Sequence, residues 1–174
     1  YTQLRQPGQH WTGVEIWGPF VKAYKLEEKY DRVVLGDMRY LDWRKFAPPD
    51  LVICGDVLEH MTKEDAVSIL NDALDHARVV LVSIPIEHSE QDEIYGNPYE
   101  KHVKPDWSHE ECMASFPSWC ITARQDGIGV YFLSREAADV QLLHGIAGGT
   151  ITAPRGPHDP TAFIIPSGRH PDLV

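Results

Sequence analysis

The chain has 174 residues, 43% hydrophobic and 24% charged, with a formal net charge of -10. That length supports one domain with a full core, and the acidic balance argues against a sequence-independent grip on a phosphate backbone, which needs Lys and Arg. No apolar run approaches the roughly 20 residues that cross a bilayer, and the opening "YTQLRQPGQHW" has no signal-type apolar stretch, so a cytoplasmic protein without a membrane partner is expected.

Helix and strand patterns alternate along the sequence. "TGVEIW" (12–17) reads as a strand and "GPFVKAYKLEEKY" (18–30) as a helix, with Pro19 in the first turn and Phe20, Ala23, Tyr24 and Leu26 at near-helical spacing. "RVVLGD" and "DLVICGD" are two further strands, joined by a connection that ends at Pro48-Pro49. "MTKEDAVSILNDALDHA" predicts a helix: Thr62 and Asp65 form a capping pair, and Val67, Leu70, Ala73 and Leu74 make an apolar stripe. "RVVLVSIP" (78–85) is a fourth strand, followed by a polar loop to about Trp107. Ser108 and Glu111 open another helix, and residues 119–134 predict two strands around Asp126-Gly127, a strong hairpin signal. "REAADVQLLHGIAGG" predicts a short helix, and the Pro-rich remainder an extended tail around one strand, "AFIIP".

The first four strands are continuous apolar runs, the pattern of strands covered on both faces in βαβ units. The expected fold is therefore α/β, a mostly parallel sheet with a C-terminal antiparallel hairpin, over residues 1–134. Residues 135–174 form a C-terminal extension able to cover the domain or to make a homo-oligomer contact. The three cysteines, Cys54, Cys112 and Cys120, lack CxxC spacing and predict neither a disulfide framework nor a zinc site.

Three strands in succession end in an acidic residue: Glu15 after "TGV", Asp37 after "RVVLG" and Asp56 after "LVICG". In an open parallel sheet, ligands bind beyond the carboxyl ends of the strands. A carboxylate there accepts from ribose hydroxyls or an exocyclic amine, and Gly36 and Gly55 leave room for a ligand beside the backbone. Single Gly-Asp pairs are common turn residues; the repetition favours a binding role.

"GVEIW", "GDMRYLDW" and "DLVICGDVLEHM" resemble the second, third and fourth motifs of class I S-adenosylmethionine-dependent methyltransferases, over residues 11 to 134. The resemblance implies a Rossmann-like sheet with a terminal hairpin and S-adenosylmethionine as cofactor. It implies that Glu15 holds the ribose hydroxyls and that Ile16 or Trp17 packs on adenine. Asp37 would accept from the adenine amine with Met38 against the ring, and Gly55 and Asp56 would lie beside the methionine end. Glu59 and His60 would stand at the acceptor mouth, with His60 a candidate general base. The family's first motif, a strand and Gly-rich loop about twenty residues before Glu15, is expected upstream of Tyr1.

The loop "IPIEHSEQDEIYGNPYEKHVKPDW" (84–107) has the length of a binding loop. It is expected to roof the acceptor pocket with His88 and Tyr95. His88 and His102 with Glu87 or Asp92 match no standard metal spacing, so no metal is expected. The resulting expectation is a methyltransferase acting on a small-molecule or protein acceptor, with nucleic acid disfavoured. The alternative is a non-catalytic methyltransferase-like binding or assembly domain. A nicotinamide-dependent Rossmann enzyme shares the acidic second strand end but not "DVLEH" or the hairpin.

Overall fold

Residues 5–147 and 150–152 are described by a computed structural model. Strand β1 (Thr12–Glu15) leads through α1 (Gly18–Ala23) and α2 (Leu26–Lys29) into β2 (Arg32–Leu35). The two strands pair in parallel, with Glu15 opposite Leu35. The single helix predicted over 18–30 is broken at Lys25, whose φ is 52°. Length explains the break. Thirteen helical residues run about 20 Å, whereas a four-residue strand covers about 13 Å, so a straight helix would carry the chain past the start of β2. The return is clamped by the Asp31 carboxylate, which accepts from the Trp11 N–H at 2.7 Å and from the Arg5 guanidinium at 2.6 Å.

Strand β3 (Leu51–Gly55), helix α3 (Lys63–His76) and strand β4 (Val79–Pro85) form a second parallel crossover. The Thr62 hydroxyl accepts from the Asp65 N–H at 3.2 Å, satisfying one of the free donors at the helix start. The buried face of α3 is Ala66, Ile69, Leu70, Ala73 and Leu74. Val67 of the predicted stripe is only half-buried. Each Ile or Leu fully buried here contributes about 1.5–3 kcal/mol.

Helix α4 (His109–Ser115) is capped by the Ser108 hydroxyl, which accepts from the Glu111 N–H at 3.1 Å. Strands β5 (Trp119–Gln125) and β6 (Ile128–Ser134) form the predicted hairpin. Its two turn residues have positive φ, 51° at Asp126 and 77° at Gly127, as the turn type matching strand twist requires. Helix α5 (Ala137–Ala147) and strand β7 (Thr150–Thr152) follow. Asp139 of α5 is gripped by Arg78, whose Nε donates to both carboxylate oxygens at 2.9 and 3.0 Å and whose Nη2 donates to Oδ1, and the Ser134 hydroxyl donates to the Arg78 carbonyl at 3.0 Å. The Arg78 guanidinium holds the Asp139 carboxyl below the usual range. The predicted strand "AFIIP" lies outside the described residues.

Among the described residues the strand pairing is mixed rather than mostly parallel. The described strands make two sheets, β1-β2 and β3-β4-β6-β5-β7. Their ladders are parallel for β1-β2 and β3-β4 and antiparallel for the remaining three. Continuous apolar runs report burial on both faces and say nothing about the direction of a neighbour. The tight hairpin sets β6 antiparallel beside β4, and β7 adds a further antiparallel edge. Among the described residues no ladder joins β1 to β3. Side chains bridge the two sheets instead: Trp43 stacks on His76 of α3 at 5.6 Å, and Met38 and Trp43 pack against the larger core. That core is built from Val80, Val82 and Ile84 of β4 with Leu58, Leu70, Trp107, Tyr131 and Leu133. Among the described residues no helix is long and apolar enough to cross a membrane.

Candidate functional site

The ends of β1 and β2 meet directly: the Glu15 carbonyl accepts from the Gly36 N–H at 2.9 Å. The Glu15 carboxylate accepts from the Trp17 N–H at 2.7 Å. Burial raises the Glu15 pKa, the Trp17 N–H opposes this, and nearby Glu100 raises it further. A side chain added at Gly36 would meet nothing within 4 Å, so the backbone there borders open space. Trp17 and Tyr99 bring their rings to 6.1 Å, so the loop after β4 reaches the end of β1.

Asp37 caps the turn Met38–Tyr40 by accepting from the Arg39 N–H at 2.9 Å. Its carboxylate is also gripped by the Arg39 side chain, from Nε at 3.0 Å to each oxygen and from Nη2 at 2.6 Å. Hydrogen bonding from the Arg39 side chain holds the Asp37 carboxyl below the usual carboxylate range. Arg39 extends to Asp65 at 3.4 Å. A cleft of about 340 Å³ is lined by Val34, Leu35, Gly36, Asp37, Tyr40 and Leu41 among others. It touches Gly36 and Asp37 but neither Glu15 nor Asp56.

At the end of β3, Gly55 leads into Asp56, which takes a left-handed φ of 52° while its N–H donates to the Ser83 carbonyl at 2.9 Å. Left-handed backbone at a residue other than glycine is costly and clusters at functional sites. The turn Leu58–His60 follows. Glu59 is only 2% exposed. Its carbonyl accepts from the Val103 and Lys104 N–H groups at 2.9 and 3.0 Å, pinning the far end of the 86–107 loop onto the turn. Burial pushes the Glu59 carboxyl up to about 7, with Asp56 and Glu100 adding to it. Glu100 thus acts on both Glu15 and Glu59, which places the ends of β1 and β3 within electrostatic reach of one loop residue.

The 86–107 loop holds its shape through its own polar groups. Buried Asn97 caps the turn Pro98–Glu100 by accepting from the Tyr99 N–H at 3.0 Å, and Gln91 donates to the Glu100 carbonyl at 2.6 Å. His60 and His102 lie edge to face at 4.9 Å. The remaining residues predicted from the sequence fall elsewhere: His88 is exposed and faces Glu90 at 3.3 Å, and Tyr95 is 87% exposed at the loop tip. Sequence reasoning put neither Arg39 nor Glu100 at the site, and it grouped His102 with His88 rather than His60. The spacing Asp37-x-Arg39 was the available signal for the first, since a residue two beyond a capping aspartate can fold back onto it.

Comparison with solved structures gives the fold. The chain matches the N-terminal domain of EvdMO1 with S-adenosylhomocysteine (SAH) bound at a TM-score of 0.50 and 14% identity, covering 74% of this chain and 65% of that one. It matches a candidate O-methyltransferase of Nostoc punctiforme PCC 73102 at 0.54 and 16%, covering 73% and 45%. It matches a protein of Pyrococcus horikoshii OT3 at 0.52 and 11%, covering 74% and 73%. No protein-family model and no curated protein matches the chain. The chain therefore has the α/β fold of these structures, and it spans less than two thirds of the length of the first two.

Proposed function

We propose that the chain binds S-adenosylmethionine at the rim formed by the ends of β1, β2 and β3 and transfers its methyl group to a small-molecule or protein acceptor. One observation carries the reading: Glu15 and Gly36 are hydrogen-bonded neighbours at the ends of β1 and β2, with open space beside Gly36. The fold likeness to a domain holding SAH supports it.

The residues present fit an adenosine in part. A single carboxylate offers about four acceptor positions; the Trp17 N–H takes one at Glu15, which leaves capacity for ribose hydroxyls. Gly36 leaves open space for the ligand to approach the backbone, and in this reading Ile16 or Trp17, next after Glu15, packs on the adenine. Met38, next after Asp37, lies against the ring in this reading, although it also packs on the larger core. Asp37 takes the adenine amine in this reading only by yielding part of its Arg39 grip. Gly55 and Asp56 border the methionine end. When bound, the cofactor would supply an electrophilic sulfonium methyl. The protein's task is alignment in a water-poor pocket, and the Glu59-His60 turn under the 86–107 loop forms the acceptor side. A second reading, a non-catalytic methyltransferase-like binding or assembly domain, is favoured by the Arg39 grip on Asp37, which occupies the carboxylate the adenine amine would use.

Ligand-dependent melting tests the proposal. SAH at about one hundred times its Kd stabilises a binding protein by about 2.7 kcal/mol, which for a chain of this size is a rise of roughly 5–10 °C in Tm. NAD is expected to give none. An unchanged Tm with SAH at millimolar concentration would remove the cofactor assignment, and a shift with NAD alone would transfer it to a nicotinamide enzyme.

A further inference from the structure

We propose that Glu59, His60 and His102 bind a divalent first-row transition cation, in a site that joins the turn after β3 to the 86–107 loop. The inference stands on the geometry of these side chains and does not depend on the cofactor reading.

The three residues each offer one ligand atom, and these atoms all lie within 4.8 Å of one another. Ligand atoms held at about 2.0–2.2 Å from one ion lie about 3–4 Å apart, so a contraction of about an ångström closes the set. The carboxylate is the most telling member. Glu59 is 98% buried by its 2% exposure, and its Oε2 has no hydrogen-bond partner. The charged neighbours that act on it are Asp56 and Glu100, both acidic. A buried carboxylate is kept where a cation or donor compensates it, and among the described residues none does at Oε2.

Each histidine is held by a backbone carbonyl. His60 Nδ1 lies 3.2 Å from the Lys101 carbonyl, and His102 Nδ1 lies 2.5 Å from the Ser89 carbonyl. A carbonyl only accepts, so each Nδ1 carries the hydrogen and donates it. In the neutral rings this leaves Nε2 as the lone-pair atom at both residues. A backbone carbonyl fixing the far nitrogen is the arrangement that orients metal-binding imidazoles. Two imidazole nitrogens and one carboxylate oxygen suit cations of the Mn²⁺ to Zn²⁺ series better than Ca²⁺ or Mg²⁺, which take oxygen ligands. Three protein ligands leave positions open for water or an oxygen-bearing molecule. A cation on Nε2 of His60 excludes that atom from acting as a general base, so the two roles compete.

Titration of metal-free full chain with Co²⁺ tests the proposal, read by calorimetry and by visible absorption. One ion per chain with absorption bands of a nitrogen–oxygen site is expected. His102→Ala and the isosteric Glu59→Gln are each expected to weaken binding at least about 100-fold, since even outer partners of metal ligands cost 10–100-fold. His10→Ala, at an exposed histidine paired with Asp31, is expected to leave binding unchanged. Melting curves of both site variants show whether each is folded, and the carboxamide variant keeps the test open should the alanine variant unfold. Absence of Co²⁺ binding, or binding that survives both His102→Ala and Glu59→Gln, would overturn the site. The SAH shift, measured on the same metal-free protein, succeeds or fails separately.

Discussion

Trp107→Ala is expected to lower the stability of the fold by about 3–5 kcal/mol, the cost of deleting a large buried aromatic side chain. Trp107 is 2% exposed and packs against Phe116 at 6.4 Å, with the Lys104 ammonium 5.0 Å from its ring centre. It stands where the 86–107 loop rejoins the core, so its loss removes both packing and an anchor for the loop. Against a typical total of about 5–15 kcal/mol, this is a large fraction, and Tm should fall by roughly 6–20 °C. Trp107→Phe separates packing from polarity. The indole Nε1 is buried without a partner, and an unmade hydrogen bond costs about 1–3 kcal/mol. Phenylalanine removes that cost while keeping most of the ring, so its effect is expected to be well under half that of alanine. Equal losses in the two variants would show that the indole N–H has a partner essential to the fold.

Glu15→Ala is expected to abolish the SAH-dependent rise in Tm while leaving the unliganded Tm within a few degrees. The side chain is half-buried and contributes one hydrogen bond, to the Trp17 N–H within its own turn. Such a bond contributes about 0.5–1.5 kcal/mol. Losing both charged hydrogen bonds to a ribose costs more, about 1.5–3 kcal/mol each, which reduces affinity roughly a hundredfold or beyond. Glu15→Gln keeps the shape and one acceptor oxygen, and an intermediate shift is expected. If Glu15→Ala binds SAH as the parent does, the ribose contact lies elsewhere on the rim.

Much of the fold is legible in the sequence because its signals are local. The Thr62 and Ser108 caps, the Asp126-Gly127 turn and the apolar runs of β1 to β4 all sit where their residues predict. Each depends on neighbours within a few positions. What depends on distant partners was not legible. The break at Lys25 follows from fitting a crossover to a short strand, and the split into two sheets from which strand finds which edge. Strand β7 is three residues long and pairs with β5, thirty residues earlier, so no periodic pattern announces it.

The candidate site divides in the same way. That Glu15, Asp37 and Asp56 follow three strand ends is a local fact, and the elements place them there. That Asp37 is already gripped by Arg39 required side-chain geometry. That Glu59 is buried, and that His102 comes to His60, required the loop to fold back across the turn after β3. A hydrogen bond spanning 41 positions, His60 to the Lys101 carbonyl, carries no trace in either segment alone.

The structure of the protein with SAH bound is the measurement that bears most directly on the central claim. The two ribose hydroxyls are expected within about 3 Å of the Glu15 carboxylate, with the adenine beside Gly36 and the sulfur end toward Asp56. SAH lodged in the cleft lined by Val34, Tyr40 and Leu41 with no contact to Glu15 or Asp56, or a crystal grown in millimolar SAH with none on that rim, would contradict the assignment.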